Sequence, residues 1–278
     1  MEIKSVTQKT TIKETGRTFT TAYTEYDDKG NEILSIDYDD NGEVLSKNVT
    51  KYNEQGRRTE LTIFSDEETV NETHFYEYTP EGRAAKETIE YEGGFKSVKT
   101  YQYTDGGLTL ITVDEDGNTE ETEKFATDKD GNVTEHTVID YNGEQTLHQM
   151  SEFADGKLII TKNLDRDGRE IDHRIYKYDE AGRMSFLGIL NPKKELLDSH
   201  AYQYDDRGRE ILQTIGSRGK ITTEYNDELR TVTVITSTGT GNIVNQTVST
   251  YNEDGKIVKE EDFNTVREYE YSYFPMPE

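Results

Sequence analysis

Apolar and polar positions alternate along this chain in short runs, as in Leu61-Thr62-Ile63-Phe64, Thr109-Leu110-Ile111-Thr112-Val113 and Thr231-Val232-Thr233-Val234-Ile235. A period of two with Thr, Val, Ile and Tyr at the repeating positions predicts β-strands. No stretch sustains the spacing of a helix. Each run ends in turn formers. One glycine series, Gly30, Gly56, Gly82, Gly107, Gly131, Gly156, Gly182 and Gly208, falls 24 to 26 residues apart and resumes at Gly255. A second series lies between these: Asn41-Gly42, Gly93-Gly94, Asp116-Gly117, Asn142-Gly143, Asp167-Gly168 and Arg218-Gly219. Ser65-Asp66-Glu67-Glu68, Asn191-Pro192-Lys193-Lys194 and Gly239-Thr240-Gly241-Asn242 stand in where the pattern changes.

Two turns per period mean one β-hairpin per period. The expected fold is therefore all-β: about ten repeated antiparallel hairpins, or roughly twenty strands, in a long curled or spiralled sheet. The whole chain, 1–278, reads as one repeat domain, because only 4 Pro are present and no Pro/Ser/Gly-rich linker interrupts it. Tyr269-Glu270-Tyr271-Ser272-Tyr273 alternates as a last strand, and Phe274–Glu278 is expected to cap it.

The first turn series repeats closely, as Tyr26-Asp27-Asp28-Lys29-Gly30, Tyr52-Asn53-Glu54-Gln55-Gly56 and Tyr251-Asn252-Glu253-Asp254-Gly255. It reads as scaffold. The second series varies in length and chemistry, so its rim is the expected contact surface. Its candidate partner-binding residues are Phe64, Asp66, Glu67 and Glu68, then Tyr91, Glu92 and Phe95, then Asp140 and Tyr141. Gly239 and Gly241 are expected to lie in a looser loop than Gly182 and Gly208. The Tyr-x-Tyr pairs are expected to line the core face of the sheet, the competing reading being a stripe on which sugar or peptide stacks.

Composition sharpens this picture. Hydrophobic residues are 31% of the chain, mean hydropathy is −0.94, and 19 Tyr and 9 Phe supply much of the large apolar surface. That suits a thin sheet better than a thick core. The formal charge of −25 disfavours nucleic-acid binding and favours a basic protein partner. The chain has no Cys, hence no disulfide or thiolate metal site. No apolar run has transmembrane length, so membrane insertion is not expected. With Met1 as the native start the expected location is cytoplasmic; removal of a leader would make it periplasmic or cell-surface.

Candidate chemistry is sparse. Asp37-Tyr38-Asp39-Asp40-Asn41-Gly42 resembles the opening of a calcium loop, but the twelfth position is Asn48 and the flanks read as strand. The expectation is an ordinary turn, with no metal and no cofactor. His74, His136, His148, His173 and His200 are too scattered for a short-spaced metal motif or catalytic set, and are expected to be solvated strand residues. No enzyme activity is expected. Arg57, Arg83, Arg169, Arg183 and Arg209 follow turn glycines and are expected to pair with acids across their own turns.

Tyr176-Lys177-Tyr178-Asp179-Glu180-Ala181-Gly182-Arg183 and Tyr202-Gln203-Tyr204-Asp205-Asp206-Arg207-Gly208-Arg209 carry a Tyr-Asp-x-x-Gly-Arg core. It resembles the YD repeat of Rhs and teneurin-type proteins. Residues 26–31, 38–43, 52–57 and 251–256 match with substitutions. The resemblance implies a long antiparallel sheet, which in large members encloses a toxin or forms a cell-surface module. This chain is shorter than such a shell and lacks the Asp-Pro-rich self-cleaving motif. The functional expectation is a standalone, non-enzymatic protein-binding member, an immunity or antitoxin-like protein neutralising a basic toxin. The alternative is a surface or carbohydrate-binding YD-repeat module, or a shell fragment of an Rhs-like protein.

Overall fold

The computed structural model describes residues 2–275. The strands are β1 (Ile3–Ile12), β2 (Thr18–Tyr26), β3 (Glu32–Tyr38), β4 (Val44–Tyr52), β5 (Arg58–Phe64), β6 (Val70–Tyr78), β7 (Ala84–Tyr91), β8 (Lys96–Thr104), β9 (Gly107–Val113), β10 (Thr119–Thr127) and β11 (Val133–Asp140). They continue as β12 (Gln145–Ala154), β13 (Lys157–Leu164), β14 (Glu170–Tyr178), β15 (Met184–Leu190), β16 (Leu196–Tyr204), β17 (Glu210–Ile215), β18 (Gly219–Asn226), β19 (Thr231–Thr238), β20 (Ile243–Tyr251), β21 (Ile257–Glu261) and β22 (Thr265–Tyr273). The architecture is all-β hairpin repeats, as the alternation predicts. Two hairpins at the chain ends were not legible, because the Glu14–Gly16 and Asp262–Asn264 turns fall outside both glycine series.

Contacts divide the chain into two compact units. The first comprises Met1–Lys96, Glu224–Val234 and Asn245–Glu278. Its ladder runs β20, β21, β22, β1 and on through β7, antiparallel at every step. A spiral would leave the first and last strands as free edges. Here Val6 pairs with Tyr271, Gln8 with Tyr269 and Thr10 with Arg267. The spiralled sheet is thereby corrected: β22 and β1 satisfy one another's backbone groups, which removes two aggregation-prone edges. The cap expected at Phe274–Glu278 begins instead with pairing, since Phe274 N–H donates to Glu2 O at 3.1 Å; Met276–Glu278 lie outside the described residues. The second unit comprises Ser97–Thr223 and Ile235–Val244, and its ladder runs from β8 to β18.

Turn chemistry explains the register. Asp27 Oδ1 accepts from Lys29 N–H (2.9 Å) and Asn31 N–H (2.8 Å), and Gly30 takes φ +81°. A side-chain acceptor followed by a left-handed glycine builds a bulged hairpin turn. The accompanying register shift falls beside the last tyrosine of the strand, at Tyr26, Tyr52, Tyr78, Tyr178 and Tyr204. The second series uses the same device: Asp39 Oδ1 accepts from Asn41 N–H and Glu43 N–H, both at 2.8 Å. Turn geometry therefore does not separate the two rims. The Asp39 carboxylate of the calcium-loop-like stretch holds its own turn.

No hydrophobic residue among those described is buried; the buried ones are Thr10, Thr50, Ser97, Thr161, His173, Gly188 and Ser237. The paired tyrosines, Tyr76 and Tyr78, Tyr176 and Tyr178, Tyr202 and Tyr204, are half-buried rather than sealed in a dry core. Tyr52 Oη donates to Glu32 O (2.9 Å), Tyr78 to Arg58 O (2.6 Å), Tyr178 to Leu158 O (2.8 Å) and Tyr204 to Met184 O (2.7 Å). Each tyrosine reaches back 20 residues, to the first or second residue of a strand in the preceding hairpin. A repeat that cannot bury enough apolar surface is tied instead by hydrogen bonds between neighbours.

Candidate partner-binding rim

In the first unit the β5–β6 turn is held by Asp66, whose Oδ1 accepts from Glu68 N–H (2.9 Å) and Thr69 N–H (2.8 Å). These backbone donors, Thr69 first, hold the Asp66 carboxyl below the ordinary aspartate range. Asp66 is therefore a turn-former as well as an acid. Glu67 and Glu68 are exposed at the tip. Phe64 is half-buried beneath Lys47, whose Nζ lies 4.4 Å from the ring centroid and donates to Glu67 O at 2.8 Å. At the start of the β7–β8 turn, Glu92 N–H donates to Asn71 O of β6 at 2.7 Å, which extends the β6–β7 ladder. Tyr91, Glu92 and Phe95 are exposed there, Phe95 by 63%. Seven of the nine predicted residues thus lie on two turns joined by β6 and β7.

Asp140 and Tyr141 belong to the second unit. Asp140 accepts from Asn142 N–H and Glu144 N–H, both at 2.9 Å, while Tyr141 is 75% exposed.

The sequence reading missed a set of exposed aliphatic residues on the same rim. Leu45 and Val70 in the first unit, and Leu147, Ile171, Leu196 and Leu197 in the second, are exposed at the starts of even-numbered strands. The register explains them. Pairing of β4 with β5 begins at Lys47, of β6 with β7 at Glu72, of β12 with β13 at Gln149, of β14 with β15 at His173 and of β16 with β17 at His200. Each of these five strands overhangs the next hairpin, and an aliphatic side chain near its start stands uncovered. The available signal was an aliphatic residue two to four places after the turns that end at Gly42, Glu68, Gly143, Gly168 and Lys194.

Among the histidines only His173 is buried; His74, His136, His148 and His200 are half-buried. His74 Nδ1 lies 2.7 Å from Glu87 Oε1, His148 Nε2 2.7 Å from Glu135 Oε1 and His173 Nδ1 2.8 Å from Glu170 Oε1. His136 stacks on Phe125 at 4.2 Å, and His173 is only 6% exposed. Cross-strand pairing brings Glu87 to His74 and Glu135 to His148, while Glu170 reaches His173 along the same strand. Of the turn arginines, Arg183 and Arg209 pair with Asp179 and Asp205 across their turns, and Arg169 pairs with Asp167. Arg57 lies over Tyr78 of the following hairpin instead.

No protein-family model matches this chain, and no curated protein matches it. Solved structures are similar to it at low identity. The Photorhabdus luminescens Tc holotoxin pore aligns at 12% identity with a TM-score of 0.41, over 95% of this chain and 18% of that one. A TcdB2-TccC3-Cdc42 structure aligns at 13% identity and 0.34, over 88% of this chain and 16% of that one. A porin-like protein from Bacteroides uniformis aligns at 12% identity and 0.35, over 97% of this chain and 96% of that one. This chain therefore spans less than a fifth of the two toxin-complex chains.

Proposed function

We propose that this chain is a non-enzymatic, YD-repeat-like protein-binding scaffold that holds a basic partner against the second-series turns of its first unit. The best-supported biological reading is an immunity or antitoxin-like protein that neutralises a basic toxin by covering it. The observation that carries this is the exposure of two aromatic residues, Tyr91 and Phe95, together with Glu67, Glu68 and Glu92 on two turns joined through β6 and β7. Aromatic anchors supply most of the affinity in protein interfaces, and a surrounding field of one sign speeds encounter with the opposite sign. The net charge of −25 gives that field its sign.

Both faces of the first unit carry charge. Tyr76 shares its face with Glu72 and His74, while the other face bears the Lys86–Glu77 pair (3.0 Å) and the Lys51–Glu60 pair (2.8 Å). A strand set with lipid on one side needs an apolar face, so these pairs favour a protein partner over a lipid one.

The test is affinity capture from the source cells with wild-type chain and with a Glu67→Lys/Glu68→Lys/Glu92→Lys variant, followed by titration of the captured protein. A basic protein that is lost by the variant and weakened by Phe95→Ala supports the proposal. An acidic partner, or one indifferent to all four changes, overturns it.

A further inference from the structure

The tyrosine ladder of the first unit is interrupted at β2. Tyr52 and Tyr78 donate to Glu32 O and Arg58 O, and Tyr271 Oη donates to Ile257 O at 2.6 Å. Tyr26 ends β2 as Tyr52 ends β4 and Tyr78 ends β6. Its hydroxyl has no hydrogen-bond partner among the described residues. The neighbouring strand β1 is irregular against β22 there, between Ile3 and Ser5. Burial first, and then the exposed Glu32 carboxylate, push the Tyr26 hydroxyl above the ordinary phenol range. It therefore stays protonated, as a half-buried donor without an acceptor.

Lys256 is a second such donor. Its Nζ lies over the rings of Tyr273 and Tyr271, 4.4 and 5.6 Å from their centroids, and reaches the Tyr273 hydroxyl at 3.4 Å. Among the described residues no carboxylate pairs with it, although acids outnumber bases 57 to 32 in this chain. Tyr26, Tyr271 and Lys256 line one cleft of about 440 Å³, with Val6, Ala22 and Ile257 among its apolar walls. The register assembles it: Val6 stands opposite Tyr271 of β22 on one side and Thr24 of β2 on the other, and Ala22 and Tyr26 share the face of Thr24. All of these residues belong to the first unit.

We propose that this cleft binds a small organic acid, with its carboxylate held by Lys256 Nζ and Tyr26 Oη and its apolar body between Val6, Ala22 and Ile257. The occupant follows from what the cleft lacks. Two unsatisfied donors, one of them charged, require an acceptor carrying negative charge. Aliphatic and aromatic walls around a cleft of this size require a small apolar body. A neutral sugar would leave the ammonium without a counter-charge. Glu260, the acid beside Tyr269 of the same cleft, accepts from Tyr269 Oη and lies 4.0 Å from Arg267, so it is already engaged. The site shares no residue with the acidic turns and goes beyond the function proposed for them.

The test is calorimetric titration of the whole chain with hydrocinnamate, with its neutral amide and with acetate. Hydrocinnamate should bind about tenfold or more tightly than either, because the amide lacks the charge and acetate lacks the apolar body. Lys256→Gln should abolish the preference for acid over amide, which loss of packing alone would not do. Tyr26→Phe should weaken hydrocinnamate about fivefold. It removes no hydrogen bond within the chain, so its melting temperature should be unchanged, and it carries the test if Lys256→Gln fails to fold. Absence of hydrocinnamate binding, equal binding of acid and amide, or unchanged affinity in a folded Lys256→Gln or Tyr26→Phe variant contradicts the proposal.

Discussion

The Arg183 guanidinium lies over the Tyr204 ring, 4.5 Å from its centroid. Arg183 follows the turn glycine of one hairpin, and Tyr204 precedes the turn of the next. Arg57 over Tyr78 (5.7 Å) and Lys157 over Tyr178 (5.2 Å) repeat the arrangement. Together with the tyrosine hydroxyl bonds to the preceding hairpin, this couples neighbours in a sheet without a dry core. Arg183→Ala is expected to destabilise the chain by about 1 kcal/mol. Arg169→Ala, whose side chain is largely exposed beside Asp167, should change stability by less than about 0.5 kcal/mol. Urea denaturation of the two variants measures the difference.

The hydroxyls are expected to matter by themselves. Tyr178→Phe and Tyr204→Phe keep the rings and delete the bonds to Leu158 O and Met184 O. Each should cost about 1 kcal/mol. The double variant should be close to additive, because the two bonds share no partner. Unchanged denaturation midpoints in both would show that the ladder of hydroxyl bonds contributes nothing.

The glycines separate by mechanism rather than by rim. Gly182 and Gly241 adopt φ +83° and +88°, so any side chain is strained at either. Around Gly241 there is open space, whereas a Cβ at Gly182 would lie 2.6 Å from Lys157 Nζ, the end of a flexible side chain. Gly239 overturns the expectation of a loose loop. A Cβ there would lie 2.0 Å from the backbone oxygen of Ser217, and Gly239 N–H donates to Arg218 O at 2.6 Å. Gly239→Ala should therefore lower the melting temperature more than Gly241→Ala, a difference the sequence pattern does not show.

Acid should loosen the turns. Hydrogen bonds from the Asn118 and Asn132 side-chain amides, and then from backbone N–H groups, hold the carboxyls of Asp114 and Asp128 below the ordinary aspartate range. A group whose folded pKa is depressed adds stability that is fully present above its unfolded value, near ~3.9, and lost as pH falls through the folded value. Stability should thus be insensitive to these groups near neutrality and decline below about pH 4. Asn53, Asn191 and Asn252 already cap equivalent turns in this chain. Asp114→Asn/Asp128→Asn should therefore still fold, with its acid-unfolding midpoint moved to lower pH. An unmoved midpoint would exclude these carboxylates from acid sensitivity.

The hairpins were legible because each rests on local chemistry: an Asp or Asn acceptor, a glycine able to take positive φ, and alternating Thr, Val, Ile and Tyr. The Tyr-Asp-x-x-Gly spacing placed Tyr178, Asp179 and Gly182 correctly at a turn. The pairing of β1 with β22 was not legible, since Val6 and Tyr271 meet across nearly the whole chain and no spacing announces it. The stagger that uncovers Leu45, Ile171 and Leu197 was hidden for the same reason: overhang is a property of register between hairpins, not of any one of them. Of the candidate site, the sequence identified the acidic and aromatic turns. It could not show that Asp66 and Asp140 also cap their own turns, or that Phe64 lies under Lys47.

The acidic, aromatic turns of the first unit are proposed to capture a basic protein. Association and dissociation rates of the captured partner, measured as ionic strength rises from ~0.01 to ~0.15 M, test it most directly, because that range shortens electrostatic reach from about 30 to about 8 Å. The association rate should fall steeply with salt while dissociation changes little. Reversal of Asp66, Glu67 and Glu68 to Lys should slow association more than the same change at Asp179, Glu180 and Asp205. Association indifferent to salt, or equal effects of the two sets of reversals, would contradict it.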